Sequence, residues 1–292
     1  MTRITQRLMV QHSMASLQTG LGRLANSQEK LSTGRLINRP SDSPTGTNEA
    51  MRLRAQLSAD TQHARNAQDG LAFMGQVDST LSTMLDNVRR ARNLLVQGAS
   101  TGSTGPESRE ALAQELSQIR EALLSLANTS HLGRPIFGGT TGSAVAYDSS
   151  GFKGDTHPVS RTVDNGVSVR IDVNGPEAFG PDGADLFAVL SKAIDDLRTD
   201  PAAIAGNLVP LDAVTEQMKT ALTGIGARYA RIEAAAARVD QVTLTNKAAL
   251  SEVENVDVAE AIMDLQMQEV AYQAALGATA RVLQPSLIDF LR

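Results

Sequence analysis

Apolar residues recur at alternating intervals of four and three near both ends of the chain. The first row is Val10, Met14, Leu17, Leu21, Leu24, Gln28 and Leu31, with Gln28 as its one polar interruption. The second is Val258, Ile262, Leu265, Glu269, Tyr272, Leu276, Thr279 and Leu283. This is the heptad period, so it predicts a long helix at each end with a stripe for packing on other helices. Glu269 and Thr279 either fix register as polar members of the second row or stand at its edge. Pro285 is expected to stop the second helix. Leu287, Ile288, Phe290 and Leu291 then form an apolar tail.

Further helices are predicted between these ends. Leu71, Met74, Asp78, Leu81, Leu85, Val88, Arg92 and Leu95 form a third row, and the segment from Gly98 to Pro106 reads as a loop. Pro106 suits a first helical position, and Glu107 and Glu110 suit the positive end of a helix dipole. Leu112, Leu116, Ile119, Leu123 and Leu126 make a fourth row. A fifth runs through Val214, Met218, Ala221, Ile225, Ile232, Ala236 and Val239 towards Leu250, weakened locally by Gly224 and Gly226.

The middle of the chain has a different period. From Gly133 to Gly183, Gly and Pro are dense, and Phe137, Tyr147, Phe152 and Phe179 fall here. Val167, Val169, Ile171 and Val173 alternate with polar residues, as in a half-buried strand. Val159, Arg161 and Val163 precede them across Asp164-Asn165-Gly166, which is a hairpin signal. A short helix with Leu186, Leu190, Ile194 and Leu197 on one face follows and ends before Pro201. The expected fold is mainly α with a small β insertion, with boundaries near residues 47, 131, 183 and 250. A chain that leaves a helical rod and returns to it brings its two ends side by side.

Composition sharpens this picture. Only 3% of residues are aromatic, which favours thin layers of small and medium aliphatics over one thick core. A net charge of −5, spread along the chain, argues against nucleic acid as a partner. With no cysteine there is no disulfide, thiolate catalysis or Cys-ligated metal. No apolar run is long enough to span a membrane, so none is expected as a partner. Residues 1–20 hold no signal-peptide stretch, so export, if it occurs, is expected to bypass a cleaved signal. One row of apolar side chains is too little burial to order roughly forty residues alone. The ends are therefore expected to be loose in a monomer and to order on neighbouring helices. The competing reading makes each row ordinary core inside a monomeric bundle.

No catalytic or metal constellation emerges. His12, His63, His131 and His157 are scattered without ligand spacing. Asp172-x-Asn174-Gly175 lacks the remaining ligands of a calcium loop and reads as a turn after a strand. Gly224-Ile225-Gly226 lacks the third glycine of a dinucleotide site, and Ser286 lacks a nucleophile-elbow context. Asp195-Asp196 reads as solvated charge. No cofactor and no enzymatic activity are expected.

The loop after the first row carries a resemblance. Leu31 to Gly46 reads LSTGRLINRPSDSPTG. It resembles the signature of the bacterial flagellin superfamily, a heptad helix ending in a Leu-Ser-x-Gly turn, then Asn, then an Asp-x-Pro turn. Asn66-Ala67-Gln68-Asp69-Gly70, Arg92 to Ala99 and Val253 to Leu291 resemble further segments of that superfamily. Gly133-Arg134-Pro135-Ile136-Phe137-Gly138-Gly139-Thr140 and the run from Ala261 to Leu291 are similar to its hook–filament junction branch. The chain departs from the common pattern at Arg39-Pro40, where small residues are usual.

The resemblance implies a structural subunit outside the cell, at the junction of flagellar hook and filament. It implies paired axial helices in residues 1–47 and 251–292, both disordered in the monomer. Residues 48–131 and 184–250 would form an inner rod, and 132–183 an outward β-rich domain. The assembly interface would be Val10, Met14, Leu17, Leu21, Leu24 and Leu31 with Val258, Ile262, Leu265, Tyr272, Leu276, Leu283, Leu287 and Phe290. The implied partners are further copies in a ring, the other hook-associated junction protein, filament flagellin, and an export chaperone on the C-terminal helix. The implied route is flagellar type III export. Filament flagellin, and a cytoplasmic coiled-coil adaptor, are the alternatives.

Overall fold

The computed structural model describes residues 2–100, 105–148, 150–200 and 202–283. The expected helix stop at Pro285 and the tail from Leu287 to Leu291 lie outside them. The fold is mainly helical, with long first and last helices paired and a small β-rich insertion in mid-chain. Its helices are α1 (Thr2–Thr33), α2 (Pro44–Ala99), α3 (Pro106–Ala127), α4 (Gly175–Phe179), α5 (Leu186–Thr199), α6 (Leu208–Glu254) and α7 (Val258–Leu283). Six short strands pair as three antiparallel hairpins. They are β1 (Ser130–His131) with β2 (Arg134–Pro135), β3 (Tyr147–Asp148) with β4 (Gly151–Phe152), and β5 (Ser160–Asp164) with β6 (Val167–Arg170).

The chain divides into two compact units, Met1–Ser58 with Thr243–Arg292, and Ala59–Val242. In the second unit the helices pair antiparallel. On α2 and α6, Arg92 Nε donates to Asp212 Oδ1 at 2.6 Å, which explains a charged residue in the third apolar row. Further along the same helices Gly70 lies against Ile232. On α3 and α5, Glu110 pairs with Arg198 at 3.1 Å while Arg120 donates to the Phe187 carbonyl. Pro106 opens α3 with Glu107 in its first turn, and α6 runs unbroken through Gly224 and Gly226.

One hydrophobic core joins these four helices to the hairpins. Its rings are concentrated rather than spread. Phe137, Tyr147, Phe152, Phe179 and Phe187 form a cluster with centroids 4.9–6.0 Å apart. Such edge and tilted contacts add to the burial each ring supplies. The third hairpin turns on Asn165-Gly166, with Gly166 at φ +73°, the left-handed backbone that this turn type requires. A β-bulge at Val163 shifts the register before the turn. The strand ends at Arg170, and the alternation continues as buried loop through Ile171 and Val173. Asn174 then caps α4 by accepting from Glu177 N–H at 2.9 Å.

Candidate functional site

In the first unit α1 and α7 lie antiparallel. Ser27 Oγ donates to Asp264 Oδ2 at 2.8 Å, and Gly20 lies beside the Tyr272 ring. The two apolar rows divide here. Val10, Leu17, Leu24 and Leu31, seven residues apart, are half-buried, as are Leu265 and Tyr272. Met14, Leu21, Val258, Ile262 and Leu276 remain exposed. Apart from Val258, which opens α7 at the used position but is exposed, each helix therefore uses one position of its heptad against the other and leaves the second uncovered. The side chain of Leu283, and Leu287 and Phe290, lie outside the described residues. Glu269 is exposed, while Thr279 is half-buried and donates to its own helix at the Ala275 carbonyl.

Sequence reasoning followed one row on α7 and missed another. Met263, Met267 and Val270 are also exposed, and with Ala271, Ala274 and Gln266 they line a shallow groove. Their spacing of four and three was the signal that could have found them. The part-buried Ser27–Asp264 hydrogen bond had no sequence signal, because it joins residues 237 positions apart.

The loop between α1 and α2 explains its motif. Gly34, at φ +68°, ends α1 in the left-handed conformation that glycine adopts without penalty. Its carbonyl accepts from Val256 N–H at 3.0 Å, and Leu36 N–H donates to the Glu254 carbonyl at 2.7 Å. The start of α7 is thereby tied to the end of α1. Asp42 accepts from the Arg39 and Asn38 N–H groups at 2.8 and 3.1 Å, and the Arg39 contact leads in holding its carboxyl below the usual range. Ser43 caps α2 by accepting from Gly46 N–H at 3.1 Å, and Pro44 takes its first position. A Cβ on Gly46 would strike Ile37. Arg39 reaches Glu29 at 3.2 Å. Asp257 caps α7 through Ala259 N–H at 2.8 Å.

In the second unit, two further motifs latch the hairpins to the helices. Asn66 on α2 donates to the Thr162 carbonyl at 2.8 Å, Asp69 pairs with Arg161 at 2.7 Å, and Gly70 admits Ile171 and Ile232 closely. In the Phe137 motif the ring is fully buried, and the Gly138 carbonyl accepts from Asp155 N–H at 3.0 Å. Gly139 sits at φ +68°, where a Cβ would run into the Asp155 carbonyl. Thr140 donates its N–H and hydroxyl to the two Asp155 oxygens at 2.9 and 2.7 Å. These bonds, the Thr140 N–H first, hold the Asp155 carboxyl low. Asn128, unforeseen from sequence, clamps β3 with three hydrogen bonds to the backbone of Ala146 and Tyr147.

Among the described residues no group of three His, Cys, Asp or Glu could hold a metal ion. Asp172 is buried in an ion pair with Arg170 at 2.8 Å. No described helix is long and apolar enough to cross a membrane.

Comparison with known proteins gives two family matches. Residues 4–141 match the bacterial flagellin N-terminal helical region, and residues 209–291 the bacterial flagellin C-terminal helical region. The chain is 26% identical to flagellar hook-associated protein 3 of Salmonella typhimurium, across 94% of this chain and 94% of that one. It is 27% identical to the flagellar filament 30.7 kDa core protein of Treponema maltophilum, across 94% of this chain and 95% of that one. The solved flagellar hook-associated protein-3 of Legionella pneumophila shares the fold, with a TM-score of 0.62 at 14% identity, across 70% of this chain and 98% of that one.

Proposed function

The chain belongs to the bacterial flagellin superfamily, and we propose that within it this protein is the structural subunit joining hook to filament. The observation that carries the subunit reading is the uncovered heptad position on the paired helices α1 and α7. Met14 and Leu21 on α1, and Ile262 and Leu276 on α7, stand in water there at intervals that fit a neighbouring helix. Covering them on other copies of the chain, on the other hook-associated protein below and on filament flagellin above completes an apolar layer. The role is mechanical and extracellular, and no catalytic step is assigned.

The choice of junction over filament rests on the Phe137–Thr140 latch and on the run from Ala261 to Leu291, both similar to the junction branch. The similarity to hook-associated protein 3 of Salmonella typhimurium supports it. The similarity to a filament core protein keeps filament subunit as the second reading. Half of each heptad holds α1 and α7 only loosely in the monomer, and they order fully when the uncovered row is covered. A looseness of this kind suits passage through the type III channel, with an export chaperone holding the C-terminal helix beforehand.

Deleting the gene in its native bacterium tests the assignment. Bare hooks with flagellin lost to the medium are expected under electron microscopy. Hooks with no flagellin in either place would make the chain the filament subunit, and unchanged flagella would overturn both readings.

A further inference from the structure

The methionines with described side chains are sorted by unit. Met74, Met84 and Met218, all in Ala59–Val242, are fully buried. Met14, Met51, Met263 and Met267, all in the other unit, are between 61% and 67% exposed. Met263 and Met267 stand one helical turn apart, on one face of α7. They line the same groove, between the small side chains of Ala271 and Ala274 and the apolar Val270. Both side chains are more than half exposed, and they stand on α7, one of the two helices through which the chain is read above to assemble, in a row of their own next to Ile262.

A thioether is apolar and adaptable, while its sulfoxide is polar and chiral. Exposure decides which of the two a peroxide reaches. The sulfur gives an electron pair to one peroxide oxygen, the S–O bond forms, the O–O bond breaks, and water leaves. Sulfur is oxidised by two electrons and the peroxide is reduced. Two sulfoxides one turn apart would place polar oxygens where a neighbouring helix has to exclude water, each without a partner.

We propose that Met263 and Met267 form a peroxide-modifiable site that switches the free chain between an assembly-competent and an assembly-incompetent state. Oxidation blocks incorporation, and enzymatic reduction of the sulfoxides restores it. The inference rests on the assembly reading of α1 and α7. It adds that the free subunit is the vulnerable form. The buried methionines make the response local, because the core of Ala59–Val242 stays chemically untouched.

The test uses the purified full-length chain and hydrogen peroxide. Peptide mass spectrometry should show Met263 and Met267 oxidised on the order of tenfold faster than Met74, Met84 and Met218, as exposure dictates. Incorporation is read by co-sedimentation with hook-ended flagella isolated from the deletion strain. Treated chain should lose most of its binding and regain it after incubation with methionine sulfoxide reductases A and B. The double variant M263L/M267L, whatever its starting level, should lose far less of that level on treatment. Equal binding of treated and untreated chain, with both sulfoxides present, overturns the proposal and leaves the assembly reading standing. Oxidation of the two no faster than of the buried methionines overturns it as well. Untreated chain that fails to sediment overturns the assembly reading on which the switch depends.

Discussion

Leu21→Asp separates the stability of the free chain from its capacity to assemble. Leu21 is 52% exposed on α1, so about half of its burial, roughly 1 kcal/mol on a scale of 1.5–3 for a whole side chain, is already realised in the free chain. Asp also helps a helix interior less, by a few tenths of a kcal/mol. The free chain should therefore lose only about 1 kcal/mol, confined to the α1–α7 pair. In an assembly the other half of the leucine would be buried too, and the substitution forfeits another ~1 kcal/mol. A carboxylate left without a partner in that layer costs several kcal/mol more. The sum, about 4 kcal/mol, is close to a thousandfold in incorporation. The assay is complementation of the deletion strain, with the variant measured by immunoblot in the medium and on purified flagella. The variant should be exported and lost to the medium. Thr19→Asp adds the same charge on the opposite face of α1 and should incorporate normally. Incorporation of Leu21→Asp at the wild-type level would refute the claim that the uncovered row is an interface.

Asn128→Ala removes three hydrogen bonds to buried backbone at Ala146 and Tyr147. A loss of about 2–4 kcal/mol is expected in urea unfolding followed by circular dichroism. Leu132 is 84% exposed and holds φ +50° at the tip of the first hairpin. Leu132→Asn should stabilise the chain by about 1 kcal/mol in the same titration, because Asn tolerates that backbone better. Asp155 has its carboxyl held below the usual 3.8 by Thr140. Its stabilisation is thus complete above that value and is lost as pH falls through the lower folded value. The protection of the Thr140 amide, the factor by which its exchange is slower than that of an unstructured peptide at the same pH, should be high at neutral pH and fall only in acid, and in Asp155→Ala it should be low at every pH. Removing residues 1–30 should abolish incorporation. It should leave the main unfolding transition intact, since every residue of the large buried core falls within Ala59–Val242.

Much of this architecture was legible because it is periodic. The heptad rows, Pro106 at a helix start and Asn165-Gly166 at a hairpin turn are local signals, and each corresponds to an element in place. The pairing of the first and last helices followed from a chain that leaves a helical rod and returns to it. What stayed hidden depends on groups far apart in sequence. Asn128 acts only because β3 returns to the end of α3, and α4 is a single capped turn too short to carry a period. The scarcity of rings suggested thin layers throughout. Instead, five of them gather where the hairpins meet the helices, and Phe187, on α5, joins four that the middle segment supplied. The motifs behind the family resemblance proved to be latches. Gly34 and Asp42 set the α1–α2 loop, Asn66 and Asp69 hold the third hairpin, and Gly139 and Thr140 close on Asp155.

A subunit of this kind has to meet two opposed demands. It must fold without help and yet remain incomplete until it reaches its place. The chain divides the demands between its units. Ala59–Val242 buries most of its apolar rows and the whole of Met74, Met84 and Met218, and its polar backbone is held by Asn66, Asn128 and Asp155. In the other unit α1 and α7 spend half of each heptad on one another, which aligns them, and hold the other half open. A fully buried pair would be stable but inert, and a pair with no buried position would have no register to offer a neighbour. Half-use of the heptad gives register first and affinity second. It also explains why small residues such as Ala271 and Ala274 lie beside Met263, Met267 and Val270 on α7. They let a neighbouring helix come close, while the longer side chains adapt to whichever partner arrives.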